Sequence, residues 1–365
     1  MGGGFGGLYT ALALDKKCKR SNCRITLVEP SSHFMFTPLL YELITGELSA
    51  CDIAPLYQDS LVGTSIQWQQ DWVESLSLEH RRIYLRHGEP ITYDYLVMAM
   101  GSRQRTFAVS GVKPHAFSFA TLEDAIRLER RLTFLENADQ SLIKVAVVGG
   151  GPSGVELACK LAARLGSRGQ INLLDRRSAL LRAHPAPLRR AAITALRSHH
   201  IAVHLETAVD AIAPDRIHYH QEGIPKVLEA DLIVWAVGAS PHHWPSTESI
   251  PTTQLGQCLV KPTLQLPQYP EVFVLGDMAA MPAPGRSYAP LTAQAAFQAA
   301  PLVAHNVWAA MAERPLRPFT YRHLGTMLTL GRGNGVVCGA GLTLSGRMGA
   351  WVRYWAYWFR LPTWP

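Results

Sequence analysis

Six glycines stand at a spacing that nucleotide chemistry uses. Gly2, Gly4 and Gly7 fit G-x-G-x-x-G, and Gly149, Gly151 and Gly154 fit it again. In such a turn the first glycine gives a tight bend and the second lets backbone approach a pyrophosphate. The third lets the following helix pack closely on a strand. The helix N-terminus then faces the phosphates. An acid about 20 residues further on can accept hydrogen bonds from ribose hydroxyls. Glu29 lies 22 residues after Gly7, and Asp175 lies 21 after Gly154. A dinucleotide site is therefore expected at each turn, the first being Gly2-Gly3-Gly4-Phe5-Gly6-Gly7.

Such turns need a strand before them and a helix after. Around the second turn everything is present. IKVAVVG at 143–149 reads as a buried strand, VELACKLAARLG as a helix ending in glycine, and QINLLD at 170–175 as a strand closing on an acid. Residues 2–17 read as the first turn and then its helix, with Leu8, Ala11, Leu12 and Leu14 on one side, and RITLVE at 24–29 as the acid-ended strand. No apolar run precedes it, so its first strand is expected to be missing. The same unit thus recurs 147 residues apart, from Gly2 to Gly149, and such duplication is itself an architectural signal. The fold class expected is α/β with two Rossmann-like dinucleotide-binding domains. Two dinucleotides follow, and hydride transfer pairs a flavin with a nicotinamide. Asp175 favours NADH through its ribose, while the adjoining Arg176 and Arg177 can accept a 2′-phosphate. NADH and NADPH both stay open.

The remaining elements read as follows. Residues 31–61 hold turns and one or two short helices. Strands are expected near 66–73, 82–87, 95–99, 201–205, 215–220, 231–237 and 272–277. TLEDAIRLERRLTFLE at 121–136 has an N-cap threonine, early acids and apolar spacing at Leu122, Ile126, Leu132 and Leu135. A Pro- and Gln-rich stretch at 251–270 reads as a crossing between domains, and a long helix follows at 291–311. The domains expected are 1–120 and 251–312 for the flavin, 121–250 for the nicotinamide, and 313–365 as a C-terminal region.

At 365 residues, 48% hydrophobic and 17% charged, the composition is globular and long enough for two domains. The net charge of +7 forms no single block. Arg81-Arg82 and Arg189-Arg190 read as solvated faces or turns, and nucleic acid is not expected as a partner. None of the six cysteines shows CxxC spacing, which argues against a zinc ribbon or a thioredoxin-like motif. Cys18 and Cys23 are five apart but sit at a helix end before a strand, the wrong place for disulfide chemistry. No apolar run reaches the roughly 18 residues of a spanning helix.

VFVLGDMAA at 272–280, YDYLVMAMGS at 93–102 and LIVWAVGASP at 232–241 resemble the signatures of two-dinucleotide flavoproteins, the pyridine nucleotide-disulfide oxidoreductase type. Within that superfamily the chain resembles the type II NADH:quinone oxidoreductases. FTPLLYELITGEL at 36–48 is similar to their segment beside the isoalloxazine ring, and GPSGVELA at 151–158 carries Glu156 where they have a glutamate near the nicotinamide. AQAAFQ at 293–298 matches their quinone-site pattern, with Gln294 and Gln298 one helical turn apart. The resemblance implies FAD as cofactor and NADH or NADPH as co-substrate. It implies flavin contacts at Pro38, Leu39, Val73, Gly101, Gly276 and Asp277, nicotinamide-side contacts at Gly238, and catalytic roles for Glu156, Gln294 and Gln298. Met100 replaces the usual threonine of the 93–102 motif. The quinone would be of menaquinone, plastoquinone or phylloquinone type, and some relatives of the cyanobacterial and plastid branch reduce demethylphylloquinone. The spacing of Gln294 and Gln298 alone fits an ordinary polar helix face, Pro38 and Leu39 fit a turn and a core leucine, and Glu156 fits a helix pairing residue.

At 347–365, RMGAWVRYWAYWFRLPTWP repeats Trp351, Tyr354, Trp355, Trp358 and Phe359 at helical spacing. Aromatic bodies favour a membrane interface, and Arg347, Arg353 and Arg360 would meet anionic headgroups. The bland alternative packs this stripe on the domain or on a second subunit, so a homodimer stays open. The location expected is cytoplasmic, peripheral on the inner or thylakoid membrane. Set beside the family, the chain is expected to be shortened at both ends, by a first strand and a final amphipathic helix. Two other functions compete: an NAD(P)H reductase of a ferredoxin- or rubredoxin-type carrier, and a truncated nucleotide-binding chain without turnover.

Overall fold

The computed structural model describes residues 1–19, 23–242 and 248–362. It divides into two compact units, each made of three stretches. Met1–Met35, Pro55–Arg103 and Ala239–His323 form the first, and Phe36–Ala54, Gln104–Gly238 and Leu324–Pro365 the second.

The second unit is built on a four-stranded parallel sheet. Ile143–Val148 lies between Gly169–Leu174 and Leu232–Trp235, with Ala202–His204 at one edge. IKVAVV is buried throughout except at Lys144, as a strand covered on both faces must be. Pro152 opens the helix Pro152–Leu165, where its missing N–H costs nothing. Thr121 caps the helix Leu122–Asn137 through a reciprocal capping box with Asp124. That helix buries Ala125, Leu128, Leu132 and Leu135, a 3-4-3 spacing. Leu122 and Ile126 are only half-buried, so the apolar stripe is rotated from the one expected.

Thr207–Ala213, Arg216–Gln221 and Ile224–Glu229 form an antiparallel meander. Glu222 and Gly223 both have positive φ, the geometry that two-residue hairpin loops prefer. At the end of the unit stand three antiparallel strands, Thr326–Thr329, Gly335–Gly339 and Leu342–Ser345. The last helix, Gly346–Trp358, packs on them backbone to backbone. A Cβ on Gly349 would lie 2.4 Å from the Gly335 carbonyl oxygen.

The first unit repeats the plan as two parallel pairs, Ile25–Val28 with Ile66–Gln69 and Leu96–Met98 with Val272–Val274. Met1 and Gly2 stand between them. The Gly2 N–H donates to Val28 O at 2.9 Å, and the Ala99 N–H donates to Met1 O at 2.9 Å. The helices Gly7–Cys18 and Ala293–Met311 pack together. The stretch 31–61 holds four one-turn helices, Thr37–Leu39, Tyr41–Ile44, Ala50–Ile53 and Tyr57–Ser60, more than the one or two expected. The first three lie in the second unit and the last in the first.

Candidate functional site

The two glycine turns are built alike. A Cβ on Gly2 would meet Ala99 O at 2.5 Å, and one on Gly149 would meet Ala236 O at 2.7 Å. On Gly7 it would meet Gly2 O at 1.7 Å, and on Gly154 it would meet Gly149 O at 1.8 Å. A Cβ on Gly4 or Gly151 would meet nothing within 4 Å. The outer glycines are therefore required by the protein's own backbone, and the middle ones leave room for something from outside. An incoming pyrophosphate fits that room, with the helix N-terminus beside it.

The acids are held in parallel fashion. Glu29 Oε2 accepts from the Gly3 N–H at 2.7 Å, and Oε1 accepts from the Ser31 N–H at 3.0 Å. Asp175 Oδ2 accepts from the Gly150 N–H at 2.5 Å, and Oδ1 accepts from the Arg177 N–H at 2.7 Å. Each carboxylate oxygen keeps a lone pair for a ribose hydroxyl. Sequence reasoning missed two neighbours. Tyr57 Oη donates to Gly3 O at 2.9 Å, bracing the first turn. Beside the second, Phe107 lies between two cations, with Arg105 4.5 Å and Arg176 5.6 Å from its ring centre. Gly238 passes 3.3 Å from that ring at its would-be Cβ. Neither neighbour belongs to a recurring spacing.

In the first unit Ser102 Oγ donates to Asp277 Oδ2 at 2.6 Å. Burial pushes the Asp277 carboxyl above its usual range, against that hydrogen bond. Met100, which replaces the motif's threonine, donates its N–H to the Met278 sulfur at 3.1 Å. Ser102 supplies a hydroxyl two residues on. Gly101 and Gly276 adopt left-handed φ of 71° and 70°. Val73 opens the strand Val73–Ser77, opposite Leu85.

Gln294 and Gln298 share a face of the long helix, and both engage the segment 319–323. Tyr321 Oη donates to Gln294 Oε1 at 3.0 Å. Gln298 Nε2 donates to Arg322 O at 2.8 Å, and its Oε1 accepts from the Arg322 N–H at 3.0 Å. Both ends of the Gln298 amide are thus engaged by one residue's backbone. Between them in sequence, Phe297 meets Tyr9 edge-on at 4.8 Å, and Tyr9 stacks on Phe5 of the phosphate turn at 6.1 Å.

The second unit holds Glu156, 6% exposed. Its Oε1 accepts from the Thr329 N–H at 2.9 Å and lies 3.8 Å from Arg353 Nη2. Burial pushes its carboxyl up to about 7, while Arg353 and Thr329 pull it down. Lys160, one helical turn on, is buried, lies 3.7 Å from Glu42 and is paired with Glu47. Against burial, Lys160 and Thr45 hold the Glu47 carboxyl below its usual range. Three carboxylates therefore share Lys160 and Arg353, and Glu156 has the more distant cation.

Arg353 departs from its expected role. Only 4% exposed, it points inward and meets no headgroup. Its Nη1 donates to Glu42 Oε1 and its Nη2 to the Pro38 carbonyl, both at 2.5 Å. The expectation failed because helical spacing does not show which face a neighbouring carboxylate occupies. Leu39 is fully buried, backbone and side chain alike.

Residues 1–300 match the family model described as pyridine nucleotide-disulphide oxidoreductase. The demethylphylloquinone reductase NdbB of Synechocystis is 36% identical over the whole chain and 92% of its own length. The Arabidopsis thaliana alternative NAD(P)H-ubiquinone oxidoreductase C1 is 37% identical over the whole chain and 77% of its own. This chain belongs to the pyridine nucleotide-disulphide oxidoreductase family. Members of this family are FAD-dependent and use NAD(P)H. The structure of NDH2 from Plasmodium falciparum in complex with NADH shares the fold, with a TM-score of 0.82, 18% identity, and coverage of 98% of this chain and 96% of that one. All six cysteines are free thiols. Burial pushes Cys159 up to about 12 and Cys258 up to about 11, which leaves both poor nucleophiles.

Proposed function

We propose that this protein is an FAD-dependent NAD(P)H:quinone oxidoreductase of the single-subunit, non-proton-pumping kind. One observation carries the reading. Each of two phosphate turns has an open second glycine and a fixed acid, in a chain whose relatives are named as quinone reductases.

FAD, when bound, supplies the two-electron chemistry that links a nicotinamide donor to a quinone. The chain's residues bind and orient. Gly2, Gly4, Phe5, Gly6, Gly7 and Glu29 hold the flavin's diphosphate and ribose, with Val73, Gly101, Gly276 and Asp277 completing its contacts. Gly149, Gly151, Gly154, Asp175 and Gly238 hold NADH or NADPH. Glu156, with its carboxyl near neutral pH, holds or releases a proton at its carboxylate oxygens. Gln294 and Gln298 hold the 319–323 segment and border the quinone's entry. The quinone is of phylloquinone, menaquinone or plastoquinone type.

The last helix supports a peripheral membrane contact, on the inner or thylakoid membrane. Met348, Trp351, Trp355 and Phe359 are exposed along it, beside Leu342 and Leu344. No described helix is long and apolar enough to cross a membrane.

The test is spectroscopic. The purified chain should show a flavin band near about 450 nm that NADH or NADPH bleaches and a naphthoquinone restores. A band restored by ferredoxin and not by quinone, or no band at all, would sink the reading.

A further inference from the structure

The last helix has two unlike faces. The outer one carries Trp351 at 61% and Phe359 at 60% exposure, with Met348 and Trp355 and the exposed Arg347. The inner one carries Arg353. Among the described residues, its hydrogen-bond and ion-pair partners belong either to the 36–42 segment or to Glu156: the Pro38 carbonyl, Glu42 Oε1, and Glu156 Oε1 at 3.8 Å. Its guanidinium also covers the Tyr357 ring at 5.0 Å, and that ring meets Phe36 edge-on at 5.7 Å.

The far half of the same segment is fastened elsewhere. Arg164 Nη1 donates to Ile44 O at 3.1 Å, Lys160 Nζ donates to Thr45 Oγ1 at 3.4 Å, and Arg332 donates to Thr45 O. Residues 44–47 are therefore tied to the core helix Pro152–Leu165 and the loop at Arg332, and residues 36–42 to the last helix, with Glu42 shared between Arg353 and Lys160 of the core helix. Two polar atoms at the second joint, Glu42 Oε2 and Arg353 Nε, are buried with no hydrogen-bond partner among the described residues. Losing the forked grip would leave more such groups unpaired, each expensive in a dry site.

We propose that Arg353 is a positioning residue that couples the outer face of the last helix to Pro38–Glu42 and Glu156, so that an anionic lipid bilayer on that face holds both in place. This rests on the membrane contact proposed above. A bilayer favours the seated helix, and the guanidinium passes that preference to the segment, as linkage requires. Apolar aromatics and an exposed arginine on the outer face match a bilayer of anionic lipids.

The experiment compares full-length wild type with R353Q and R353K, with and without phosphatidylglycerol-containing vesicles. Flotation reads membrane binding, and hydrogen exchange reads the backbone of 36–48. Vesicles should slow exchange there in wild type by about 5-fold or more, a usual coupling. R353Q should float as wild type does, exchange faster at 36–48, and lose the response. R353K keeps the charge without the fork and should fall between; it also serves if R353Q does not fold. A wild type that does not float overturns the membrane reading and the coupling with it. A wild type that floats without slowing at 36–48 overturns the coupling alone, as does an R353Q or R353K that floats and responds as wild type does.

Discussion

Glu156 is a buried carboxylate with a hydrogen bond from Thr329 and a cation 3.8 Å away that also serves Glu42. Burial wins, and the carboxyl is pushed from 4.5 up to about 7. The fold therefore prefers the protonated form. Its contribution is fully present below about pH 4.5 and is lost as pH rises to about 7, amounting to about 3 kcal/mol. Glutamine keeps the acceptor for Thr329 and carries no charge. E156Q should therefore gain stability relative to wild type as pH rises from 5 to 8. Denaturant midpoints of the two proteins at both ends of that range measure it, and a constant gap would refute the buried-charge account. The sequence marks Glu156, two residues past a fingerprint glycine, but hides its environment. Thr329 lies 173 residues away, and no spacing rule joins them. Arg353 was legible as a charge and illegible as a buried one.

At the scale of elements the duplicated strand–turn–helix–strand unit was readable, because glycines, β-branched runs and terminal acids each have a geometric reason to recur. What escaped lacks contrast. The helix Ala186–Ser198 buries Leu188, Ala192, Ala195 and Leu196, and alanine gives the stripe little hydrophobic signal. The strand Ile224–Glu229 is mostly exposed, so it shows no alternation, and only the Glu222-Gly223 turn marks it. Within the second turn the glycines differ in what they answer to. Gly151 has a φ of −79° and open space at its Cβ position, whereas Gly154 would drive a Cβ into Gly149 O. G151A should stay within about 0.5 kcal/mol of wild-type stability and raise the KM for NAD(P)H at least about tenfold. G154A should lose several kcal/mol, about 3 or more, by backbone collision. Thermal unfolding and nucleotide kinetics separate the two, and equal stability losses would contradict the assignment of Gly151 to the ligand.

At the scale of the molecule each compact unit carries one phosphate turn, and each unit draws on three separate stretches of chain. Membership of 36–54 in the second unit has no local sign in sequence, since it follows from long-range grips such as Arg353 on Pro38. Two turns built alike can nevertheless be told apart by which ligand each one stabilises. A ligand that binds only the folded state adds about 2.7 kcal/mol at a hundred times its Kd. Flavin-free wild type should therefore be stabilised by FAD and, separately, by NADP⁺ or NAD⁺. Gly4 and Gly151 both leave their Cβ position open, so alanine at either should block a ligand without harming the fold. Gly4→Ala should abolish the FAD shift and spare the nicotinamide shift, and Gly151→Ala should do the reverse. The double pattern matters because a general loss of stability would erase both shifts together. If Gly4→Ala weakened the nicotinamide shift and left FAD untouched, the two turns would have been assigned to the wrong nucleotides.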